Sequence, residues 1–128
     1  MSGQFSKQIL VVDDDPQIND LIRRLLERRG YRVASAFNGR EALNIYSNGV
    51  FDLVITDIIM PEMEGLETIK ELRHTDPSVK IIAVSGGGVG SADDYLHAAN
   101  LLGALRVLSK PFHLEDMQRA IDELIGTA

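Results

Sequence analysis

Two textures alternate along the chain. Short runs such as Ile9-Leu10-Val11-Val12, Leu53-Val54-Ile55 and Ile81-Ile82-Ala83-Val84 are apolar without interruption. A run apolar on both faces reads as an interior strand of a parallel sheet rather than an alternating, half-solvated one. Between these runs, apolar residues recur at helical spacing: Ile18, Leu21, Ile22, Leu25 and Leu26; Ala42, Leu43 and Tyr46; Leu66, Ile69 and Leu72; Leu114, Met117, Ile121, Leu124 and Ile125. Such stripes are the buried faces of amphipathic helices.

Punctuation residues divide the pattern. The predicted strands are Gln8 to Val12, Tyr31 to Ala36, Phe51 to Thr56, Lys80 to Ser85 and Leu105 to Ser109. Asp15-Pro16 opens the first helix, because Asp at a cap with Pro in the first turn is a start signal, and Gly30 closes it. Asn38-Gly39 opens the second helix and Asn48-Gly49 makes a turn. Glu64 or Gly65 starts the third, which Asp76-Pro77 breaks. A fourth runs from a cap at Ser91 to about Leu102, after Gly86-Gly87-Gly88. The corner Lys110-Pro111-Phe112 precedes the last helix.

Five strands alternating with five helices predict a parallel sheet covered on both faces. The fold class expected is α/β, a flavodoxin-like (βα)5 doubly wound sandwich with strand order 2-1-3-4-5. One domain is expected over residues 1–128, with its core over about 7–126.

Composition narrows the function. Of the 128 residues, 45% are hydrophobic and 25% charged, which is the make-up of a globular domain. The lack of cysteine excludes disulfides, thiolate metal sites and cysteine nucleophiles. A net charge of −6 argues against direct nucleic acid binding. No apolar run approaches the roughly 18 residues that would span a bilayer, and no signal peptide pattern opens the chain, so a cytoplasmic location is expected.

The polar residues that matter end strands. Asp13-Asp14-Asp15 follows the first strand, Asp57 ends the third, Ser85 the fourth, and Lys110 follows the fifth. In order 2-1-3-4-5 the first and third strands are neighbours at the switch point, where ligands of open α/β sheets bind. Asp13, Asp14 and Asp57 then meet, and carboxylates so close repel one another unless a cation sits among them. A hard divalent cation such as Mg2+ suits them, with the backbone carbonyl of Ile59 as a further oxygen ligand. Lys110 supplies a mobile point charge and Ser85 a hydroxyl donor for phosphoryl oxygens, and the N–H groups of Ile58 and Gly86 could complete the cradle. A carboxylate can itself be the nucleophile in phosphoryl transfer. Asp15 reads as a helix cap. Arg23, Arg24, Arg28 and Arg29 read as a solvated helix face, and His74, His97 and His113 have no assigned role.

In these residues the chain resembles the receiver domains of bacterial two-component response regulators over essentially its whole length. The resemblance rests on Ile9 to Pro16, on Thr56-Asp57-Ile58-Ile59-Met60-Pro61 with Gly65, on Ser85, on Gly103-Ala104, and on Lys110-Pro111-Phe112. It implies a signalling domain rather than an enzyme. Asp57 would accept a phosphoryl group from a histidine kinase or a histidine phosphotransfer protein, with Mg2+ held by Asp13, Asp14, Asp57 and the Ile59 carbonyl. Ser85 would be the switch hydroxyl and Lys110 would contact the phosphoryl group. The family also implies a cis peptide at Lys110–Pro111, and a partner surface around the fourth helix, fifth strand and last helix.

Val107 departs from the pattern, since the family usually has an aromatic residue there that changes rotamer on activation. Switching is therefore expected to rest on ordering of the Gly86–Gly88 loop. Ile59 and Gly87 offer no polar side chain to orient water, so slow self-dephosphorylation is expected. Three other readings compete with it. A Mg2+-dependent phosphatase of the haloacid-dehalogenase type would use Asp13-x-Asp15, but no cap domain is evident. A degenerate receiver acting only as an interaction module is opposed by the full acidic set with Lys110. A flavin site lacks a phosphate-binding loop after the first strand. The chain ends just after the last helix, so a stand-alone receiver and a receiver belonging to a longer protein with an output domain both stay open.

Overall fold

The computed structural model describes residues 6–58, 65–85, 103–110 and 112–126. In chain order the elements are β1 (Gln8–Val12), α1 (Pro16–Arg28), β2 (Arg32–Ala36), α2 (Gly39–Ser47), β3 (Leu53–Asp57), α3 (Gly65–Thr75), β4 (Ile81–Ser85), β5 (Arg106–Ser109) and α4 (Leu114–Ile125). The helix expected over Ser91 to Leu102, the Gly86–Gly88 loop and the peptide bond into Pro111 lie outside the described residues. β1 spans the residues expected, and the other four strands start one or two residues later than the apolar pattern suggests, as at β3. There Phe51 stacks on Tyr46 with ring centroids 5.9 Å apart, and the Asp52 carboxylate accepts from the Gln8 N–H at 2.8 Å. Asp52 still donates its N–H to the Gln8 carbonyl of β1 at 2.8 Å, so it borders the sheet without belonging to the strand.

The five strands form one parallel sheet in order β2-β1-β3-β4-β5, the flavodoxin-like arrangement. Alternation along each strand divides the core in two. Leu10, Val12, Val54, Ile81 and Ala83 join Ala42 of α2 and Ile69 and Leu72 of α3 on one face. Ile9, Val11, Leu53, Ile55, Ile82 and Val84 join Ile22 and Leu26 of α1 and Met117 and Ile121 of α4 on the other. β1, β3 and β4 are covered on both sides, which is why they are apolar throughout.

Helix ends follow local chemistry. Asp15 caps α1, its Oδ1 accepting from the N–H of Gln17 at 2.9 Å and of Ile18 at 3.5 Å, and Gly30 beyond the other end takes φ 97°. The α1 stripe corrects one expectation. Leu21 is 57% exposed, and the buried residues are Asn19, Ile22 and Leu26, because the sheet lies toward the 19-22-26 row rather than its neighbour. The arginine face is solvated as expected, with Arg23 paired to Asp20 and Glu27 and Arg24 to Asp20. Lacking a basic residue in its last turn, α4 is held by two lysines from the base of the sheet. Lys7 Nζ donates to the Ile125 carbonyl, and Lys80 Nζ donates to that of Leu124 at 2.9 Å; cations there also oppose the helix dipole. None of the described helices is long and apolar enough to cross a membrane.

Gly65 joins α3 to the end of β3. Its N–H donates to the Ile58 carbonyl at 2.6 Å, and a Cβ there would lie 2.2 Å from the Asp57 carbonyl oxygen and 2.3 Å from Ile58 Cα. Both neighbours are backbone and have nowhere to move, so a side chain would push α3 off the strand that ends in Asp57. Gly65→Ala is expected to cost about 3 kcal/mol, the upper part of the usual range for overpacking. Chemical denaturation checks this, and a loss under about 0.5 kcal/mol, the size of a neutral surface change, would show that α3 can shift freely.

At the opposite edge, the Tyr46 hydroxyl donates to Asp76 Oδ2 at 2.7 Å, linking α2 to the end of α3. That hydroxyl first, then the Ser78 hydroxyl and N–H, hold the Asp76 carboxyl below its ordinary value. Burial first, and then Asp76, raise the Tyr46 phenol. A depressed acid stabilises the fold above its unfolded value and loses that contribution as pH falls through its folded value; a raised phenol loses its contribution only as pH rises through its own. The pair is therefore at full strength from about pH 4 to about pH 10. Tyr46→Phe should lower the unfolding midpoint by a few degrees at pH 7, and the gap to the native protein should close as pH falls below the carboxylate range. A gap unchanged at low pH would contradict this.

Candidate functional site

Register brings the strand-end residues together. Val12 pairs with Thr56 and Asp57 with Val84, so Asp13 lies beside Asp57 across the β1–β3 boundary. Ser85 pairs with Ser109, and the Lys110 N–H donates to the Ser85 carbonyl at 2.7 Å. Asp13, Asp14 and Asp57 each present a carboxylate oxygen, all within 4.8 Å of one another. Asp13 and Asp57 are 3% and 8% exposed, whereas Asp14 faces solvent. Two of the three acids are thus set into the sheet edge and one is open to an arriving ligand.

Lys110 bridges the buried pair. Its Nζ lies 3.3 Å from Asp13 Oδ2 and 3.5 Å from Asp57 Oδ2. Burial pulls the ammonium's pKa down, but the charges of Asp57 and Asp13 outweigh it and hold the group above its ordinary value. Lys110 therefore stays charged across the neutral range. Asp13 is further oriented through Oδ1, which accepts from the Asp15 N–H at 2.9 Å.

Ser85 is fully buried, and its Oγ has no hydrogen-bond partner among the described residues. An unmet buried hydroxyl costs on the order of 1–3 kcal/mol, and this one stands at the end of the strand next to Asp57. Thr56 differs, since its Oγ1 donates to the Asp57 carbonyl at 3.0 Å. One expected member of the cradle falls away. The Ile58 N–H donates to the Val84 carbonyl at 2.9 Å, because the β3–β4 ladder continues one residue past Asp57, so it is not available to a ligand. Ile59 and Gly86 lie outside the described residues. Asp15 stands apart, its carboxylate spent on the α1 cap.

The apolar pattern passed over Asn19. It is fully buried, and its Nδ2 donates to the carbonyls of Asp13 at 3.1 Å and Ala36 at 2.9 Å. Its spacing from Ile22 and Leu26 is the signal that could have marked it, for a polar residue in a buried row must bond to something. Val107 is half-buried against the α2–α3 side of the core.

Among the described residues the donors are carboxylate oxygens, two buried and one open, with an ammonium beside them, a set that suits a hard divalent cation and an oxyanion rather than a soft metal.

Comparison with known proteins identifies the family. The family description "response regulator receiver domain" matches residues 9–122. The chain is 40% identical over 126 residues to the transcriptional regulatory protein ZraR of Klebsiella oxytoca, covering 98% of this chain and 28% of ZraR, so it spans little more than a quarter of that relative. It is 34% identical over 122 residues to the response regulator receiver protein CpdR of Brucella abortus, covering 95% of this chain and 99% of CpdR. Among solved structures, that of the Thermotoga maritima response regulator TrrA in complex with Mg2+-BeF is similar with TM-score 0.80 at 35% identity, over 93% of this chain and 99% of that one. By sequence over nearly its full length and by fold, the chain belongs to the family of response regulator receiver domains.

Proposed function

We propose that this receiver domain accepts a phosphoryl group on Asp57 from a phosphohistidine of a histidine kinase or phosphotransfer protein, in a Mg2+-dependent reaction in the cytoplasm. The observation that carries the reading is the meeting of Asp57 with Asp13, Asp14 and the Lys110 ammonium at one sheet edge. Asp13, Asp14 and Asp57, with the Ile59 carbonyl, would hold Mg2+, which supplies positive charge that a phosphoryl group and three carboxylates otherwise lack. The Mg2+-BeF complex described for TrrA supports that choice of ion.

The residues of the chain divide the work. A carboxylate oxygen of Asp57 attacks phosphorus while the bond from phosphorus to the donor's nitrogen or oxygen breaks. The donor leaves with that electron pair, and an acyl phosphate forms on Asp57. Lys110 moves from two carboxylates to phosphoryl oxygens without changing its protonation, and the Ser85 hydroxyl, which has no partner among the described residues, gains an acceptor. Phosphorylation thus exchanges the partners of Lys110 and Ser85 together, at the junction of β4 and β5. Val107 has no ring to rotate, so the change passes outward by displacement of backbone, including the Gly86–Gly88 loop. Asp15, consumed by the α1 cap, is unsuited to the second-acid role that a phosphatase reading gives it.

Incubation with Mg2+ and acetyl phosphate should add one phosphoryl group to the intact mass. The adduct should require Mg2+ and be absent in Asp57→Asn. It should also persist, because Ile59 and Gly87 carry no polar side chain to orient water. A folded protein that gains no mass would overturn the proposal, and rapid consumption of donor without an adduct would favour hydrolysis.

A further inference from the structure

The acidic cluster must keep its shape against its own repulsion, and the residue best placed to hold its backbone is one that takes no part in the chemistry above. Asn19 lies on the sheet-facing row of α1, one turn before Ile22. Both of its bonds go to main-chain carbonyls at the point where β1 and β2 end, those of Asp13 and Ala36. The Asp13 N–H donates to the same Ala36 carbonyl at 3.1 Å. The Asn19 amide therefore closes a ring that runs from the end of β1, through the Asp15 cap and the first turn of α1, and back to Asp13. Turning the amide over would set its oxygen against two carbonyl oxygens, so the bonding fixes its orientation.

This arrangement has a cost. Asn19 Oδ1 is buried with no hydrogen-bond partner among the described residues, and an apolar side chain in a row shared with Ile22 and Leu26 would leave no such orphan. What the amide returns is geometry at Asp13. The Asp13 carboxylate is steered by the Asp15 N–H and Lys110, but the backbone that carries it and Asp14 is tied down by Asn19.

We propose that Asn19 is a positioning residue for the acidic pair. By fastening the Asp13 carbonyl to the end of β2, it fixes the backbone from which Asp13 and Asp14 project beside Asp57, and so sets the affinity for the divalent cation. The metal half of this inference rests on the Mg2+ reading above. Outer groups that orient metal ligands typically contribute 10- to 100-fold in affinity.

The test compares Asn19→Ala with Ile22→Ala, which makes a cavity on the same buried face of the same helix without touching the β1 end. In the metal-free proteins, compared at equal global stability, amide exchange at Asp13 and Asp15 should be about tenfold or more faster in N19A than in I22A. In calorimetric titration, Mg2+ affinity should fall about tenfold in N19A, at the low end of that range, and stay near the native value in I22A. Asn19→Ser, which keeps one donor, should fall between and serves if N19A does not fold. Exchange at Asp13 and Asp15 no faster in N19A than in I22A overturns the proposal, as does faster exchange with unchanged Mg2+ affinity. A native protein that binds no Mg2+ overturns the receiver reading instead, and the exchange comparison tells that failure from a failure of Asn19.

Discussion

The ammonium of Lys110, 3.3 Å from Asp13 and 3.5 Å from Asp57, offsets a repulsion that the fold creates. Parallel strands β1 and β3 end side by side, each in a carboxylate, with Asp14 next in line. At separations within 4.8 Å, each pair of unit charges repels by about 1–3 kcal/mol, depending on how far solvent screens it. One lysine cannot cancel three acids. Among the described residues the site is left with a surplus of negative charge and a Ser85 hydroxyl without a hydrogen-bond partner, features that suit a cation beside the acids and an oxyanion beside the lysine and serine.

The rest of the molecule makes that edge rigid. Gly65 lets α3 seat directly on the end of β3, Asp15 starts α1 immediately after the acids, and Asn19 ties the first strand end to the second. At the other edge, Lys7 and Lys80 fasten the last turn of α4 and the Tyr46–Asp76 bond joins α2 to α3. Among the described residues, the lysine and tyrosine bonds fasten the base of the sheet, while the crowded carboxylates stand at its top. A core built on two faces of the sheet tolerates the unfavourable contacts at that edge.

The strands and the site acids were legible in sequence because burial on both faces leaves uninterrupted apolar runs, and because a charged residue ending such a run has few reasons to be there. Topology then followed from the βα alternation, and the meeting of Asp13, Asp14, Asp57 and Lys110 followed from topology. Two details were not legible. The apolar row of α1 was misread by one position, since Leu21 and Asn19 differ only in which side of Ile22 the sheet occupies. Asn19 drew no reading from the pattern, and only the nearness of two strand-end carbonyls explains its burial. The Ile58 N–H looked free because the run stops at Asp57, whereas the β3–β4 ladder runs one residue further. Side-chain type encodes burial well; it does not encode which backbone group a neighbour will claim.

The central claim is that this edge is held in a state of charge crowding that a cation relieves, and denaturation of Asp14→Asn in chelator and in Mg2+ tests it most directly. Asp14 is exposed and outside the core, so removing its charge perturbs little else. The account predicts that the variant is more stable than the native protein in chelator, and that Mg2+ stabilises the native protein but hardly affects the variant. A variant less stable than native in chelator, or stabilised equally by Mg2+, would contradict it.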